Sequence, residues 1–420
     1  MTLSTRITAL LLLGVAIAAP AQVASKKQVN QWRTQMRQAL FIPNPLPAVQ
    51  PESYGTFTPA PGIVAERVSY RSEYGLRIPA VIYAPATKPK GRQPAIIVVN
   101  GHGGDKSSWY AYYTGVLYAR AGAVVLTYDP IGEGERNDDH KYGTSEHDKI
   151  IDVPTMPARM GGLMVTDVMQ AVSYLSQRPD VDAHRIAVMG FSMGSFISAL
   201  AGAADPRIHA LLLTGGGDLD GPGGYWDASH AVMCQSGPYK ALSFLGDRPA
   251  VLYTMNARRG TTFILNGTND TVVDIPHHEQ DFFDAMRQRV IALNGGSKGV
   301  FETLFDPGAS HRPGWIARPS AKWLGNNLRF PNWPESTINQ LPIISIRAWA
   351  AKVGYPLGKS SGREDRDAGI QSIDGDVPLM THEQTDVLSM EKWQERKSEF
   401  VYANWVKAAL AQANNEGSSK

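Results

Sequence analysis

Residues 185–204 read RIAVMGFSMGSFISALAGAA, and this stretch decides the fold. The apolar run RIAVM is typical of a buried strand, and the small residues from Phe196 to Ala204 are typical of a closely packed helix. The pentapeptide Gly190-Phe191-Ser192-Met193-Gly194 lies between them. In a chain with 40 glycines the pentapeptide alone is weak evidence. Its strand–turn–helix setting, however, is the one that projects a serine hydroxyl above a sheet edge, and this predicts Ser192 as a nucleophile.

Apolar runs and helical patterns alternate on both sides of this turn. Further strands are predicted at 64–70, 78–83, 95–100, 123–128, 208–214, 262–266 and 300–305. Helices are predicted at 109–121, 162–177 and 278–293. Strands that are apolar on both faces and separated by helices indicate an α/β fold with a mostly parallel sheet, here of about eight strands.

The segments outside this alternation define the predicted domain organisation. Residues 22–60 are expected to form a helix and a proline-rich arm without regular structure, and residues 61–330 the catalytic domain. Within that domain, residues 216–260 are rich in glycine and aromatic residues and form a possible cap insertion. Residues 331–420 are expected to be a helical extension that packs on the body, with helices near 336–353 and 389–413.

The first 21 residues resemble a signal peptide. Arg6 gives a positive start, residues 7–19 form an apolar run, and Ala19-Pro20-Ala21 supplies small residues for cleavage. The run is too short to span a bilayer, although a buried helix is an alternative. A secreted or periplasmic protein is therefore expected, with no transmembrane segment and, since the single cysteine is Cys234, no lipid anchor.

Charge and cysteine content exclude several classes of function. The formal net charge is +2, and it falls to +1 without Arg6, so no basic surface for nucleic acid is expected. One cysteine cannot form an intrachain disulfide, and metal ligation by thiolates is expected to be excluded by the same count. Neither metal nor cofactor is predicted, because a serine activated by a histidine generates its own nucleophile.

The acid and the base of the predicted triad follow Ser192 in the chain. Asp270 comes directly after the strand at 262–266, and His311 comes in a glycine-bearing loop after the strand at 300–305. The order serine, acid, histidine is that of the α/β-hydrolase motif. Asp274 is the alternative acid, and His277 and His278 are the alternative bases. His311 is expected to accept the Ser192 proton, and Asp270 to orient the histidine.

Two backbone N–H groups are predicted to bind the oxyanion of the tetrahedral intermediate. One belongs to Met193, and the other to His102 in the loop Asn100-Gly101-His102-Gly103-Gly104, with Gly103 as the alternative. The acidic run 129–136 is interpreted as an ion-pair network rather than a metal or glycosidase site. The aromatic residues at 109–113, with Tyr225 and Trp226, either line the cleft or pack in the core.

Taken together, these motifs resemble the acetyl xylan esterase and dienelactone-hydrolase-like branch of the α/β-hydrolases. The resemblance covers Ile63 to Leu328 and is carried, in order, by PAIIVVNGHGG, YDPIGEGER, GFSMGS, LNGTNDTVVD and GASHRP. It implies an eight-stranded sheet and hydrolysis of short acyl esters, often on carbohydrates. Dienelactone hydrolases carry cysteine where Ser192 stands, which argues against that reaction.

A small-molecule or carbohydrate ester is therefore the expected substrate, with no nucleic-acid or membrane partner. The nearest alternative is a serine peptidase of the prolyl-oligopeptidase type, which shares the sheet and the order of the triad. A non-catalytic binding protein on a hydrolase scaffold is a more distant alternative, because such proteins typically lose the nucleophile or the base.

Overall fold

The computed structural model describes residues 22–87, 89–357 and 369–417, so the predicted signal peptide lies outside the described residues. Nine strands form the central sheet: β1 (Glu52–Ala60), β2 (Ile63–Arg71), β3 (Arg77–Pro85), β4 (Gln93–Val99), β5 (Val124–Tyr128), β6 (Val181–Phe191), β7 (Ala210–Thr214), β8 (Thr261–Gly267) and β9 (Glu302–Asp306). Their order is β1-β2-β3-β5-β4-β6-β7-β8-β9.

The sheet confirms the predicted α/β class and its mostly parallel pairing. In the spatial order of the sheet, the first three pairings, β1-β2, β2-β3 and β3-β5, are antiparallel. The remaining pairings, along β5-β4-β6-β7-β8-β9, are parallel. The strand that the sequence analysis missed is β1, which lies in the predicted proline-rich arm. A strand containing Pro59 is tolerated there because β1 is the edge of the sheet, where a missing N–H leaves no partner unpaired.

Helices cover both faces of this sheet. In chain order they are α1 (Lys26–Ala39), α2 (Trp109–Arg120), α3 (Met156–Gln177), α4 (Met193–Ala204), α5 (Tyr225–Ala228), α6 (Gly237–Ala241), α7 (Arg248–Ala257), α8 (Ile275–Asn294) and α9 (Arg318–Leu328). Strand β4 is buried on both faces: Ile97 and Val99 face one apolar core, and Ile96 and Val98 face the other. The first core receives α3, α4 and α7, and the second receives α2 and α9.

Residues 216–260, predicted as a possible cap, contain two different parts. Helix α7 belongs to the helix layer, since its residues Leu252 and Met255 are fully buried in the first core. Residues 225–235 instead border a cavity at the carboxyl edge of the sheet. The segment is therefore continuous with the body and contributes to the rim of the cleft.

The described part of the C-terminal segment packs on the body but is less helical than predicted. It contains α10 (Glu335–Gln340), β10 (Ile343–Ser345), α11 (Ile346–Val353), β11 (Gln371–Ile373), α12 (His382–Thr385), α13 (Met390–Arg396) and α14 (Tyr402–Gly417). The expected helix at 336–353 is interrupted because Pro342 disfavours helical backbone at Leu341. Strand β10 then pairs antiparallel with β11. No helix among the described residues is long and apolar enough to cross a membrane.

Candidate active site

Ser192 occupies a sharp turn between β6 and α4. Its backbone has φ 55° and ψ −122°, a left-handed conformation that a residue with a side chain adopts at a cost in strain. The turn is held by two backbone bonds, from Ser192 N to Thr214 O at 3.0 Å and from Ser195 N to Ser192 O at 2.9 Å. A Cβ atom on Gly194 would collide with the carbonyl oxygen of Val99, so the turn requires glycine there.

The structure brings Asp270 and His311 together at the ends of β8 and β9. The Nδ1–H of His311 donates to Oδ2 of Asp270 at 2.8 Å, and both side chains are buried. The other carboxylate oxygen accepts the N–H groups of Val272 at 3.0 Å and Val273 at 3.3 Å. Because a carboxylate can only accept, this pairing places the proton on Nδ1 and leaves Nε2 of His311 with a lone pair.

The alternative acid and bases lie elsewhere. Asp274 pairs with His277 at 3.0 Å, and the side chains of both are largely exposed at the start of α8. His278 lies 3.3 Å from the buried carboxylate of Asp218. Among the described acids, Asp270 is the one that the structure pairs with His311.

Ser192 and His311 are brought to the same edge of the sheet through β7. Ser192 is bonded to Thr214, the last residue of β7, and the next residue is Gly215. A Cβ atom on Gly215 would lie 2.7 Å from Cε1 of His311. The ring of Phe191, which precedes the serine, lies 4.7 Å from the histidine ring. The histidine is therefore packed directly over the serine turn.

The two predicted oxyanion donors lie beside this turn. Met193 is the first residue of α4, where N–H groups have no acceptor within the helix. A Cβ atom on Gly101 would lie 2.9 Å from the Cβ of Ser192, so the loop at 100–104 approaches the nucleophile closely. The N–H of Gly103 is already bonded to Glu133 Oε1 at 3.3 Å, which favours His102 over Gly103 as the second donor.

Glu133 holds the loop at 100–104, the predicted oxyanion loop, through a contact that the sequence does not reveal. One oxygen of its carboxyl accepts from Gly103, and the other accepts the N–H of Thr144 at 2.9 Å. Burial raises the pKa of Glu133 to about 9. The sequence places Glu133 in the acidic run, because no local pattern shows that its side chain reaches a loop 30 residues upstream.

A cavity of about 440 Å³ opens next to the oxyanion loop. Its lining comes from the loop at 100–104, from the segment around α5 and from the loop that follows Asp270: His102, Asp148, Tyr225, Ala228, Ser229, His230, Ala231, Gln235 and Val272. Of the aromatic residues predicted for the cleft, Tyr225 lines this cavity. Trp109, Tyr112 and Tyr113 pack instead against Trp349 of the C-terminal segment.

The acidic run forms the ion-pair network that the sequence analysis favoured, around a lysine that it did not single out. Lys106 Nζ lies 2.7 Å from Asp129 and 2.8 Å from Glu135, and all three side chains are fully buried. Arg136 pairs with Asp167 from α3. The buried ammonium of Lys106 thus provides the counter-charge for Asp129 and Glu135.

The parallel sheet, the serine turn after β6 and the paired Asp270 and His311 define an α/β-hydrolase. The model of the prolyl oligopeptidase family matches residues 108–333, more than half of the chain. The chain belongs to this family, and the predicted superfamily is thereby confirmed. The match includes Ser192, Asp270 and His311 but not His102. The family is also the one named as the nearest alternative from the sequence.

The chain is similar to proteins named as esterases and as a thiohydrolase. Methylesterase BT1017 has a TM-score of 0.58 at 16% identity, over 94% of this chain and 78% of that chain. The acetyl xylan esterase from Paenibacillus sp. R4 has a TM-score of 0.46 at 16% identity, over 69% and 91%. The thiohydrolase apmlB from Arthrinium phaeospermum is 28% identical over 149 residues, 36% of this chain and 42% of its own length.

These comparisons establish a hydrolase of the α/β type. The chain spans less than half the length of the curated relatives that it matches. The individual site residues stay predictions.

Proposed function

We propose that this protein is a serine esterase that hydrolyses short acyl esters of carbohydrates or similar polar alcohols through an acyl-enzyme. The observation that carries the proposal is the 2.8 Å bond between His311 Nδ1 and Asp270 Oδ2, packed over the strained turn that presents Ser192. Nucleophile, base and orienting acid are the three parts that acyl transfer by a serine requires.

In the proposed reaction the lone pair on Nε2 of His311 accepts the Ser192 proton as Oγ attacks the ester carbonyl. The N–H groups of Met193 and His102 stabilise the oxyanion of the tetrahedral intermediate. Its collapse releases the alcohol, which takes the proton back from His311. Water then attacks the acyl-enzyme by the same route, and the acid leaves. Asp270 stabilises the imidazolium in both steps.

The surroundings of the proposed site support a polar substrate rather than a long-chain lipid. The cavity beside the oxyanion loop is bordered by polar side chains, among them Asp148, Ser229, His230 and Gln235. The segment at 216–230 that borders it is rich in glycine and contains no long apolar helix of the kind that covers a lipase cleft. Secretion or periplasmic export by residues 1–21 is part of this proposal, and sequencing the amino terminus of the exported protein tests it.

A peptidase is the second candidate, because the family is named for prolyl oligopeptidases. The described residues upstream of the matched region form α1 and the first four strands of the central sheet rather than a separate domain over the cleft. The active site is therefore not enclosed by these residues, which favours substrates carried on larger molecules. Ester hydrolysis and peptide hydrolysis need the same triad, so the two candidate functions are distinguished by the substrates that the protein hydrolyses.

A substrate panel tests the proposal directly. Nitrophenyl acetate, butyrate and octanoate, acetylated sugars, methyl esters of sugar acids and prolyl peptides should be compared, with Ser192→Ala as the control. Activity is expected to fall stepwise from acetate to octanoate, because each methylene changes transition-state binding by about 1–3 kcal/mol. Methyl esters are included because a methylesterase shares the fold. Preference for peptides would establish the second candidate, and preference for octanoate would contradict the short acyl group.

A further inference from the structure

Four side chains with metal-binding atoms converge at the wall of the cavity, although they come from three separate parts of the chain. They are His102 of the oxyanion loop, the adjacent His147 and Asp148, and Cys234, and one ligand atom from each lies within 4.8 Å of every other. A single cysteine excludes a site built from several thiolates, but it does not exclude a mixed site whose ligands are distant in sequence.

Three of the separations lie within about half an ångström of the edges of a tetrahedral zinc site, with Oδ1 of Asp148 facing the sulfur and Oδ2 facing His102. Cys234 Sγ lies 3.1 Å from His102 Nε2 and 3.2 Å from Asp148 Oδ1, and His102 Nε2 lies 3.5 Å from Asp148 Oδ2. Ligands at the usual distances from a tetrahedral zinc ion are separated by about 3.4–3.6 Å. A sulfur, two imidazole nitrogens and a carboxylate oxygen are the donor types that zinc uses in proteins.

The buried and unpartnered Nε2 atom of His147 is an independent indication of an ion. It is fully buried, and its Nδ1 lies 2.8 Å from the carbonyl oxygen of Ile131. A carbonyl can only accept, so Nδ1 carries the proton and Nε2 presents a lone pair. That Nε2 atom is buried and has no hydrogen-bond partner. A ligating histidine whose other nitrogen donates to a backbone carbonyl is the usual arrangement around protein-bound metals.

Hydrogen bonding explains three members of the cluster but not the fourth. The thiol of Cys234 can donate to Asp148, and the ring of His102 can donate to the sulfur. None of these hydrogen bonds reaches Nε2 of His147. A buried lone pair without a partner lowers the stability of the folded state. An ion at the centre would satisfy all four groups.

The structure contains a second such cluster, Glu135, His140 and Asp386. It offers a poorer site, because Lys106 Nζ already lies 2.8 Å from Glu135 and 3.5 Å from Asp386. The ammonium group occupies the position that a cation would need. The cluster at His147 contains no such cation.

We propose that His102, His147, Asp148 and Cys234 bind one zinc-class divalent ion. The ion would join the oxyanion loop, through the ring of His102, to the two segments that wall the cavity, and it would fix the position of that loop. It would supply no step of the acyl transfer, which the serine and histidine carry out. The site does not depend on the proposed esterase activity, because it is defined by its ligands alone.

Metal content of the full chain tests the site without reference to activity. Protein dialysed against zinc and then against metal-free buffer is expected to retain about one zinc per chain by elemental mass spectrometry. His147→Gln and Cys234→Ser should each weaken zinc binding by more than about tenfold. His230→Gln is the matched control, because His230 lines the same cavity, is exposed and lies outside the cluster. Equal zinc content in the control and in His147→Gln would overturn the proposal.

Cobalt binding to the wild-type chain gives a second test that does not rely on the folding of a variant. A bound cobalt ion with a cysteine ligand produces a thiolate-to-metal charge-transfer band in the near ultraviolet. The band should saturate at one equivalent, and zinc should displace it. Its absence would show that Cys234 is a thiol in a hydrogen-bonded network and would exclude the site.

Discussion

Asp270 is the proposed catalytic residue with the nearest competitor in the sequence, since Asp274 lies only four positions away. Asp270→Asn is expected to lower kcat by about ten-thousand-fold, because an amide facing Nδ1 stabilises the wrong tautomer of His311. Asp274→Asn should change kcat little, since its carboxylate pairs with the exposed His277. Steady-state kinetics on nitrophenyl acetate measures both. A larger loss in Asp274→Asn would identify it as the acid.

Glu133 should give the protein a distinctive dependence of stability on pH. Its ordinary pKa of 4.5 is raised to about 9 by burial, with a smaller contribution from the nearby Asp105. Because the pKa in the folded state exceeds that in the unfolded state, the stability that Glu133 contributes is complete below about pH 4.5 and is lost as the pH rises towards 9.

Glu133→Gln is expected to remove this loss. The free energy of unfolding should decline less in the variant than in the wild type between about pH 5 and pH 9, as measured by urea denaturation. Glu335→Gln is the control, because Glu335 is exposed. If the free energy of unfolding changed with pH in the same way in the wild type and in Glu133→Gln, Glu133 would be ionised in the folded protein.

At the scale of elements, the loop after β7 decides whether His311 can reach the serine turn. Gly215 has φ 59°, and a Cβ atom there would lie 2.7 Å from the histidine ring. Gly215→Ala should therefore displace His311 and lower kcat by about a hundredfold, the usual effect of a misplacement near 1 Å.

Gly223→Ala provides the matched control for this loop. Gly223 also has a positive φ, 77°, but a Cβ atom there has nothing within 4 Å. Both variants should lose similar stability from backbone strain, and only Gly215→Ala should lose activity. Equal activity in the two variants would show that the contact with His311 is unimportant.

The same scale shows which elements the sequence could predict. A local pattern of apolar residues and glycines predicts strand β6, the serine turn and α4. The rest of the sheet is predicted by the same alternation of apolar runs and helical patterns along the chain. Strand β1 was missed because Pro59 and the prolines that precede the strand argue against regular structure, unless the strand is known to lie at an edge. The contact between Glu133 and the oxyanion loop depends on tertiary packing, so no sequence pattern near Glu133 reports it.

At the scale of the whole molecule, the buried network around Lys106 joins the catalytic body to the C-terminal segment. Glu135 accepts a bond from Lys106 and also accepts the N–H groups of Val387 at 2.9 Å and Leu388 at 3.0 Å. The indole N–H of Trp393 donates to the carbonyl oxygen of Glu135 at 2.8 Å. The C-terminal segment, to which the sequence assigned no role, thus completes the surroundings of a buried charge cluster.

Lys106→Met should therefore destabilise the whole protein. Removal of the ammonium leaves Asp129 and Glu135 buried without a counter-charge, and this is expected to lower the free energy of unfolding by about 3–5 kcal/mol. Lys141→Met is the control, because Lys141 pairs with Asp139 at the exposed surface. Chemical denaturation measures both. A change below about 1 kcal/mol in Lys106→Met would mean that the network contributes little.

Covalent labelling of Ser192 is the most direct test of the catalytic site. A fluorophosphonate forms a stable adduct with a serine that a neighbouring histidine activates, and peptide mapping by mass spectrometry locates it. The adduct is expected on Ser192 in the wild type, at a much lower rate in His311→Ala, and not at all in Ser192→Ala. An adduct on another residue, or equal labelling in wild type and His311→Ala, would contradict the assignment of Ser192 as the nucleophile activated by His311.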